Sequence, residues 1–571
     1  MVDVYEKVID LLRRRGFVWP SGEIYGSVAG FIDYGPLGAM MKRRVEDIWR
    51  DFYVVKEGYY EIECPTIGIE PIYIASGHIK GFSDKMFRCP HCNEFFRADH
   101  VAEEYNIRYA SSLNKQGLMR ALTDQNCIAC KKPLGEVEVF DFNLMFNTSI
   151  GPGGSRKGYL RPETAQGIFT DFGRLLRFYR DTLPFGTVQI GRSYRNEISP
   201  RQGMIRLREF TQAEAEIFVH PEEKSHPNFS RYADYEMPLW GMDHQEGKLD
   251  PVVVPMAEAV ENELIANEYV AYYLALTHEF MLKIGIDKDK IRFRQHLPDE
   301  RAHYAADCWD AEFYSSRYGW VEAVGIADRT DYDLEAHAKV SGEKMTVFIQ
   351  YPEPRLEQRR TVIPKMGLLG PRFKTRAKEV GEKIAAATPQ ARGIFIVLDD
   401  DVVHIEKELF DVRDEEVLAR GEEVRPHVIE PSYGIDRLCY AVLEHSFHQD
   451  EVDGEVRTVL RLPPAVAPIK VAVFPLMTRD GLEEIAREIT EAIRNEGILA
   501  EYDGSGAIGR RYRRQDEIGT PFAITVDYDS KEDGTVTLRE RDSMQQIRIP
   551  IQELPKTIRE LIRGEMQFKK A

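Results

Sequence analysis

Residues 191–218, with the sequence G-R-S-Y-R-N-E-I-S-P-R-Q-G-M-I-R-L-R-E-F-T-Q-A-E-A-E-I-F, decide the fold of this chain. The pattern predicts two strands joined by a polar loop, and strand side chains alternate between two faces. On one face of the first strand we expect Ser193, Arg195 and Glu197. The same face of the second strand would carry Arg206, Arg208, Phe210, Gln212, Glu214 and Glu216. The opposite face is small and apolar enough to pack on helices, whereas this face gathers groups that suit a polyphosphate, an aromatic base and an ammonium ion.

The composition predicts a multidomain protein without a membrane anchor. A chain of 571 residues is too long for one hydrophobic core. Its net charge of −18 means that any binding of nucleic acid would need local basic patches. No apolar run is long enough to cross a membrane, and the charged amino-terminal helix lacks the apolar core of a signal peptide. We therefore expect a cytoplasmic protein.

Four of the seven cysteines form two C-x-x-C pairs, and we expect this set to hold a metal: Cys89, Cys92, Cys127 and Cys130. In a reducing compartment such pairs favour metal binding over disulfides. Four thiolates make a closed, tetrahedral zinc site of the structural kind. A redox dithiol pair and an empty remnant are the alternatives, and His91 is a possible substitute ligand. The remaining cysteines lie in apolar contexts and are expected in the core: Cys64, Cys308 and Cys439.

Changes of pattern along the chain indicate two insertions and a separate carboxyl-terminal domain. Residues 83–157, which contain both cysteine pairs, are predicted to be irregular. Residues 256–284 predict one helix, and a polar, charged insertion begins near residue 331. A proline-rich linker at 462–468 precedes alternating strands and helices, including a helix at Ile508–Ile518. That alternation predicts a small α/β domain.

The hairpin resembles motif 2 of the class II aminoacyl-tRNA synthetases. That motif runs from an arginine and an acid through a loop to a second arginine and a phenylalanine, here Arg195, Glu197, Arg206 and Phe210. Motif 1 resembles residues 57–67, E-G-Y-Y-E-I-E-C-P-T-I, and motif 3 resembles residues 430–437, E-P-S-Y-G-I-D-R. Over nearly its whole length the chain is similar to glycyl-tRNA synthetases of the homodimeric, archaeal and eukaryotic-like kind, through strings such as G-F-V-W-P-S-G-E-I-Y-G, F-I-D-Y-G-P-L-G and R-P-E-T-A-Q-G-I-F.

The resemblance implies an α+β fold, with a class II antiparallel sheet flanked by helices, a zinc-ribbon-like insertion and a carboxyl-terminal α/β anticodon-binding domain. The catalytic core would comprise residues 1–82 with motif 1, residues 158–330 with motif 2 and a helical insertion at about 221–300, and residues 425–461 with motif 3. Insertions would fill 83–157 and 331–424, and the anticodon-binding domain would span 466–571. Because motif 1 forms the dimer interface in this class, a symmetric homodimer is also implied.

The implied reaction has two steps. ATP and glycine give glycyl-adenylate and pyrophosphate, and the glycyl group then moves to the 3′ end of tRNA(Gly). The reacting carboxylate and α-phosphate are both anionic, so catalysis needs cations, and the resemblance assigns this to Arg195 and Arg437. The ATP site would comprise Arg195, Asn196, Glu197, Arg206, Leu207, Phe210, Glu322, Ala323 and Arg437. Glu322 and Ala323 would lie at the nucleotide and its Mg²⁺ ions; an ion pair with Arg329 is the alternative for Glu322.

The motif residues have separate tasks in that site. A planar guanidinium suits both anions, so Arg195 would clamp the α-phosphate and the glycine carboxylate. Glu197 would accept a hydrogen bond from the adenine amino group, and Arg206 would reach the outer phosphates. Phe210 would stack on one face of the adenine, while Arg437 would cover the other and contact the γ-phosphate. A surface ion pair is the alternative for each arginine.

The residues that the resemblance assigns to glycine are Arg97, Glu163, Glu214, Glu430, Ser432 and Gly434. Motif 3 usually has three glycines before its arginine, and here Glu430 and Ser432 replace two of them. The carboxylates would bind the ammonium group and line the α-carbon, and Arg97 would meet the substrate carboxylate. A rigid wall rejects an extra methyl group, so the smallest amino acid needs no editing site. Turn or helix-terminus acids are the alternative for Glu163 and Glu430.

The carboxyl-terminal helix resembles the tRNA-contacting part of class IIa anticodon-binding domains. Its candidate contacts are Arg510, Arg511, Arg513 and Arg514. Cations near Tyr512 suit phosphate neutralisation and base stacking, whereas a solvated helix paired with Asp516 and Glu517 is the alternative. Other functions stay open: a class IIa synthetase for threonine, proline, serine or histidine, a synthetase-like tRNA-binding accessory protein, and synthesis of diadenosine polyphosphates in the adenylate site.

Overall fold

A computed structural model describes residues 4–568 apart from 108–109, 111–112, 199, 201, 299, 301–304, 388–392, 399–400 and 453. The chain forms two compact units, Met1–Met345 with Arg425–Ala571, and Thr346–Val424. The outer limits predicted for the first and last domains, residues 1 and 571, lie outside the described residues. Among the described residues, no helix is long and apolar enough to span a membrane.

The first unit contains the predicted antiparallel sheet, here called the large sheet. Within the described residues it has nine strands, which from edge to edge are Val252–Pro255, Glu236–Trp240, Ile291–Gln295, Asp307–Ser315, Gly319–Asp328, His427–Gly434, Glu209–Val219, Phe185–Tyr194 and Tyr60–Glu61. Neighbouring strands run antiparallel except for one pair near each edge. The predicted hairpin is the antiparallel pair Phe185–Tyr194 and Glu209–Val219.

Helices cover the apolar face of the hairpin, as its alternation predicted. Ala213, Ala215 and Ile217 are buried in the main core with residues of the helices Val4–Arg14, Pro36–Arg50, Glu268–Lys283 and Ile435–Ser446. Two further helices of this unit are Ala165–Phe178 and Tyr332–Ser341.

The prediction of one helix over residues 256–284 is wrong. Met256–Glu261 and Glu268–Lys283 are separate helices. The second begins at its own cap, since the Asn267 side chain accepts a hydrogen bond from the Val270 amide at 3.1 Å.

The segment around the cysteines is an ordered module, so the prediction of irregular structure there is also wrong. Its sheet consists of Ser83–Arg88, Phe95–Arg97 and Val139–Asn143, and its helices are Ala98–Glu104 and Lys115–Leu122. Phe87, Leu118 and Leu122 form a separate core that includes Cys89 and Cys127. Leu118 and Leu122 lie one turn apart on the same helix, whereas Phe87 is far from them in the sequence, and only the folded module brings the three together.

The second unit starts at Thr346 rather than near residue 331, because the helix Tyr332–Ser341 belongs to the first unit. It is built on the long antiparallel pair Val347–Pro364 and Phe410–Val424. Its other elements are the strands Ile394–Leu398 and Asp401–Ile405 and the helices Met366–Phe373 and Ala377–Ala386.

The carboxyl-terminal part is the predicted α/β domain. Its sheet has the strand order Ala500–Tyr502, Val471–Pro475, Phe522–Val526, Thr535–Glu540 and Gln546–Pro550. Its main helices are Leu482–Asn495, Ile508–Ile518 and Leu554–Arg563. Smaller elements elsewhere in the first unit are Val18–Pro20, Ile32–Tyr34, Ile67–Ile69, Glu70–Ala75, His78–Gly81, Asn147–Ile150, Arg156–Leu160, Met242–Glu246, Phe447–Val452 and Glu455–Leu460.

Candidate active site

A cavity of ≈ 300 Å³ opens on the polar face of the large sheet. Its wall contains most of the predicted site residues: Glu163, Arg195, Glu197, Arg206, Leu207, Phe210, Glu214, Glu322, Ala323, Glu430, Ser432, Gly434 and Arg437. Two predicted residues lie outside this wall. The Asn196 amide donates to the Leu144 carbonyl at 2.8 Å, and Arg97 pairs with Asp99 at 2.6 Å inside the cysteine module.

Strand register explains why residues distant in sequence meet at the cavity. Glu214 lies opposite Ser432, and Ser432 lies opposite Gly325 on the next strand. Cross-strand partners share a face, so these positions form one continuous floor. The sequence prediction that Arg195, Glu197 and Arg206 are strand residues is wrong. The first strand ends at Tyr194 and the second begins at Glu209, which leaves those three side chains in the connecting loop.

Two aromatic rings and one hydrogen bond hold Arg195 at the cavity wall. Its Nε donates to the Pro162 carbonyl at 3.2 Å. The guanidinium carbon lies 5.3 Å from the centroid of the Phe210 ring and 5.4 Å from that of Phe82. Such contacts favour a cation and restrict its rotation. Phe82 was not predicted as part of the site, because it belongs to no motif.

The remaining motif arginines are tied to acids and carbonyls. Arg206 donates from Nε to Glu197 Oε2 at 2.7 Å. Arg437 donates from Nε to the Ile205 carbonyl at 3.0 Å and from Nη1 to the Glu322 carbonyl at 2.8 Å. Its Nη1 also lies 3.5 Å from the Glu322 carboxylate. These bonds connect the hairpin loop, the strand Gly319–Asp328 and the helix Ile435–Ser446 around one end of the cavity.

Glu214 accepts four hydrogen bonds at the other end of the cavity. Oε2 accepts from the amide of Thr164 at 2.8 Å and from its hydroxyl group. Oε1 accepts from Ser432 Oγ at 2.6 Å and from Gln212 Nε2 at 2.9 Å. Thr164 precedes the helix Ala165–Phe178, whose positive amino-terminal end favours a nearby carboxylate. Burial, together with Glu163, nevertheless raises the pKa of Glu214.

Glu163 and Glu430 differ in their surroundings. Burial opposes ionisation of Glu163, but His78 at 3.5 Å, with Arg329 and the Gln166 amide, holds its pKa well below the usual range. Burial raises the pKa of Glu430 to about 8, although Arg329 Nη1 donates to its Oε1 at 3.1 Å. The pKa values of Glu163 and Glu430 are therefore shifted in opposite directions within one cavity.

Four supporting residues of this end were not identified from the sequence as site residues: Thr164, Gln166, Arg329 and Asp333. Arg329 makes two hydrogen bonds to Asp333, at 2.7 and 3.0 Å, besides the one to Glu430. Thr164 and Gln166 lie one and three positions after Glu163, so their place in the string R-P-E-T-A-Q could have identified them as site residues. Asp333 lies in the first turn of the helix Tyr332–Ser341, which belongs to no motif. The alternative that Arg329 pairs with Glu322 gives way to these contacts with Asp333 and Glu430.

A third wall of the cavity contains His296, Cys308 and Asp310. His296 Nε2 lies 2.8 Å from Asp310 Oδ2. Burial raises the pKa of Asp310 to about 6, with the nearby Glu322 adding to the rise and His296 opposing it. Cys308 is only half-buried and lines the cavity, so the prediction that it is a core residue is wrong. Cys439 is buried as predicted, while Cys64 is half-buried.

The two C-x-x-C pairs come together as predicted. The sulfur atoms of Cys89, Cys92, Cys127 and Cys130 all lie within 4.8 Å of one another. Both pairs form the same turn, in which the residue after the second cysteine, Asn93 or Lys131, has a φ close to +60°. The donor set therefore fits one tetrahedral zinc ion. His91 is not needed as a substitute ligand, since the four sulfur atoms already form the cluster; its Nε2 lies 3.0 Å from the Pro133 carbonyl.

In the basic helix Ile508–Ile518 some arginines are bound within the fold and others lie at the surface. Arg511 is 4% exposed and donates to the carbonyls of Gly504, Gly506 and Pro475, so we correct the prediction that it contacts tRNA. Arg514 pairs with Asp503, and Arg513 lies 3.9 Å from Asp516. Arg510 is exposed. The alternative partner Glu517 contacts Arg14 and Arg15 of the amino-terminal helix instead.

Two family models match parts of the chain. The one described as "tRNA synthetase class II core domain (G, H, P, S and T)" matches residues 150–238, which include the hairpin. The one described as "Anticodon binding domain" matches residues 470–561. Prolyl-tRNA synthetase of Giardia lamblia, solved in complex with prolyl-adenylate, is similar with a TM-score of 0.54 and 14% identity, covering 98% of this chain and 79% of that chain. At this identity the likeness concerns the fold alone.

Several relatives match from end to end, and each is called "Glycine--tRNA ligase". The protein of Methanothrix thermoacetophila is 54% identical over 575 residues, which covers 100% of this chain and 99% of the relative. That of Archaeoglobus fulgidus is 50% identical, with 98% and 97% covered. That of Methanocaldococcus jannaschii is 48% identical, with 98% and 99% covered.

Proposed function

The chain belongs to the glycine–tRNA ligase family of class II aminoacyl-tRNA synthetases, and we propose that its cavity on the large sheet is where glycine is activated with ATP. One observation carries the proposal. A wall of the half-buried Glu163 and the buried Glu214 and Glu430 faces, across a single cavity, the loop that holds Arg195 and Arg206. The first end suits the ammonium group of a small amino acid, and the second suits a nucleotide polyphosphate.

The rival functions are less well supported. The full-length relatives share the glycine name, which argues against threonine, proline, serine or histidine as the substrate. A tRNA-binding accessory protein would not need Arg195, Arg206 and Arg437 together in one cavity wall. Synthesis of diadenosine polyphosphates would reuse the same site and stays open. A cytoplasmic location stays a prediction from the sequence.

In the first step a glycine carboxylate oxygen attacks the α-phosphorus of ATP. The bond from that phosphorus to the bridging oxygen breaks, and pyrophosphate leaves with the electron pair. Arg195, fixed between Phe82 and Phe210, would neutralise the charge that develops on the α-phosphate. Glu197 and Arg206 would separate to meet the adenine and the outer phosphates, exchanging their mutual ion pair for contacts with ATP.

Class II synthetases use Mg²⁺ with ATP, and the carboxylates of Glu322 and Asp310 fit that ion. Glu322 and Asp310 both line the cavity, and their proximity adds to the rise in the pKa of Asp310. Two neighbouring carboxylates attract a hard divalent cation that also binds phosphate oxygens. Mg²⁺ would supply charge neutralisation for the leaving pyrophosphate, and Glu322 and Asp310 would hold it.

We also propose that two chains associate as a symmetric homodimer. Support comes from the motif 1 segment and its surroundings, which expose large apolar side chains: Tyr60, Ile67, Ile69 and Ile74. Exposed apolar surface of this kind marks protein interfaces. Light scattering coupled to size-exclusion chromatography is expected to give twice the mass of one 65.7 kDa chain, and a monomer would reject the proposal.

Replacing Cys89 with serine is expected to remove bound zinc and to unfold the cysteine module. The wild-type protein should carry about one zinc per chain, because four thiolates saturate a structural site. Inductively coupled plasma mass spectrometry measures the metal, and limited proteolysis within residues 83–157 reports the module. Cys64→Ser is the matched control, since Cys64 lies outside the four-cysteine set. A metal-free wild-type protein that resists proteolysis would refute the zinc assignment.

Replacing Arg510 with alanine is expected to raise the KM for tRNA about fivefold. One exposed arginine that neutralises a phosphate contributes roughly 1 kcal/mol to binding. Aminoacylation kinetics with a tRNA(Gly) transcript measure this effect, whereas glycine-dependent exchange of pyrophosphate into ATP should stay unchanged. Arg487→Ala, on the surface helix Leu482–Asn495, is the control. Equal changes in the two variants would argue against tRNA contact by the basic helix.

Aminoacylation itself tests the proposed function. The protein, tRNA(Gly) transcript, ATP and radioactive glycine should give acid-precipitable glycyl-tRNA. The same reaction with alanine or serine should give none above background. Charging by another amino acid at a comparable rate would reject glycine as the substrate.

A further inference from the structure

Glu216 is a buried acid that the activation chemistry does not use. It lies two residues beyond Glu214 on the strand Glu209–Val219, so both side chains share a face. Glu216 is 0% exposed and does not line the cavity. Glu214 pairs with Ser432, and Ile217 pairs with Ile429, so the same register puts Glu216 beside Glu430. Glu216 therefore sits behind the pocket wall.

Three of the four carboxyl oxygens of Glu216 and Glu430 lack a hydrogen-bond donor among the described residues. Within the described part of the chain, both carboxyl oxygens of Glu216 and Oε2 of Glu430 are buried without a hydrogen-bond partner. The hydroxyl of Thr187, the cross-strand neighbour of Glu216, is also buried and unpaired among those residues. An isolated buried carboxylate is so costly that the group takes up a proton instead.

The surrounding charges do not compensate for an ionised Glu216. The titratable groups that face the pair or its neighbours are Glu163, Glu214, Asp333, Arg329, Arg161, His78 and His337. Arg329 is engaged by Asp333 and Glu430, and His78 lies against Glu163. Burial, then Glu430 and Glu214, raises the pKa of Glu216 well above its ordinary value.

We propose that Glu216 is a protonated positioning residue that donates a hydrogen bond to Oε2 of Glu430 and so presents Glu430 as an anion to the substrate ammonium group. The proposal rests on the proposed role of Glu430 in binding glycine. It explains why the pocket tolerates an additional acid, since two carboxyl groups that share one proton carry one negative charge. Arg329 would hold Oε1 of Glu430 and Glu216 would hold Oε2.

Two variants of Glu216 separate proton donation from packing. Glu216→Gln keeps the shape and a donor, so its KM for glycine should stay within about threefold of wild type. Glu216→Met keeps the volume without a donor, so the KM for glycine should rise about tenfold while the KM for ATP stays unchanged. In Glu216→Gln the acidic limb of the plot of kcat/KM for glycine against pH should shift to lower pH by about one unit. Glu430 would then accept a hydrogen bond from an amide group, which does not titrate.

A second readout is independent of glycine. Glu216 has a higher pKa in the folded protein than in the unfolded chain. Its protonation therefore contributes to the stability of the fold; this contribution is complete below the unfolded pKa and is lost as the pH rises through the folded pKa. Wild type should therefore lose thermal stability relative to Glu216→Gln as the pH rises from 5 to 9. This difference in Tm is expected even if the protein activates no glycine, so it separates failure of this inference from failure of the proposed function.

Three outcomes would overturn the inference. Glu216→Met and Glu216→Gln could show equal KM values for glycine with an unshifted pH profile, which indicates packing alone. Glu216→Gln could lose glycine binding as completely as Glu430→Gln, which indicates that Glu216 acts as an anion. The difference in Tm between wild type and Glu216→Gln could be constant from pH 5 to 9, which indicates that Glu216 does not titrate with a raised pKa.

Discussion

Replacing Arg195 with alanine is expected to lower kcat for glycine-dependent exchange of pyrophosphate into ATP by about 10³-fold. A preorganised cation at the α-phosphate acts mainly in the transition state, where loss of one such group costs two to three orders of magnitude. Steady-state exchange kinetics measure the effect. Arg195→Lys should recover only part of the rate, since an ammonium group cannot contact two oxygens as a planar guanidinium does.

The matched control is Arg192→Ala. Arg192 lies three residues before Arg195, on the strand Phe185–Tyr194 that leads into the loop, but it is partly exposed and outside the cavity wall. We expect its rate within about twofold of wild type, as for most surface substitutions. If the Arg192 and Arg195 variants lost activity equally, Arg195 would be a structural residue of the hairpin rather than a catalytic one.

Replacing Glu214 with glutamine is expected to raise the KM for glycine about 100-fold, roughly 2.7 kcal/mol, and to leave the KM for ATP within about threefold. The amide keeps the shape of the side chain but removes the charge that its four donors stabilise and that the substrate ammonium would meet. Exchange kinetics at varied glycine and at varied ATP separate the two effects.

Glu209→Gln supplies the control for Glu214, because Glu209 begins the same strand with its side chain partly exposed. Its kinetics should match wild type. If Glu214→Gln instead raised both KM values alike, Glu214 would serve the packing of the sheet, and the glycine pocket would have to be placed elsewhere in the cavity.

The alternation of the hairpin was enough to predict which side of the sheet packs on helices. Its apolar positions Ala213, Ala215 and Ile217 are buried in the main core. The same alternation gave no signal for the ends of the strands. The amide of Asn196 donates to the carbonyl of Leu144, a residue 52 positions earlier, instead of pairing with the neighbouring strand. A hydrogen bond over such a distance in sequence cannot be predicted from the local pattern.

The motifs predicted many of the residues that line the cavity. They did not predict the residues that hold those side chains in place by hydrogen bonds. The family resemblance assigned Glu214, Glu430 and Ser432 to the site, and all three line the cavity. Arg329, which holds Glu430, is 101 residues away from it in sequence. Its partner Asp333 follows four positions later on a helix that no motif includes. Local patterns cannot reveal such support, because it depends on how strands and helices from different segments pack.

The cysteine spacing predicted the cluster of four sulfur atoms but not the fold around it. Phe87 lies on a strand, whereas Leu118 and Leu122 lie on a helix, so no single periodic pattern along the sequence joins them. The break between the helices Met256–Glu261 and Glu268–Lys283 was not predicted, because residues 256–284 are apolar enough to suggest one helix. The second helix begins at a cap that depends on a single side chain, that of Asn267.

Exchange of labelled pyrophosphate into ATP, measured once with glycine and once with alanine as the amino acid, is the sharpest test of the proposed glycine activation. The reaction reports adenylate formation without tRNA, so it depends only on the cavity of the large sheet. We expect rapid exchange with glycine and at least about 100-fold slower exchange with alanine, because the proposed wall of Glu214, Glu430 and Ser432 would exclude an additional methyl group. No exchange with glycine, or equal exchange with alanine, would reject the assignment of glycine activation to this cavity.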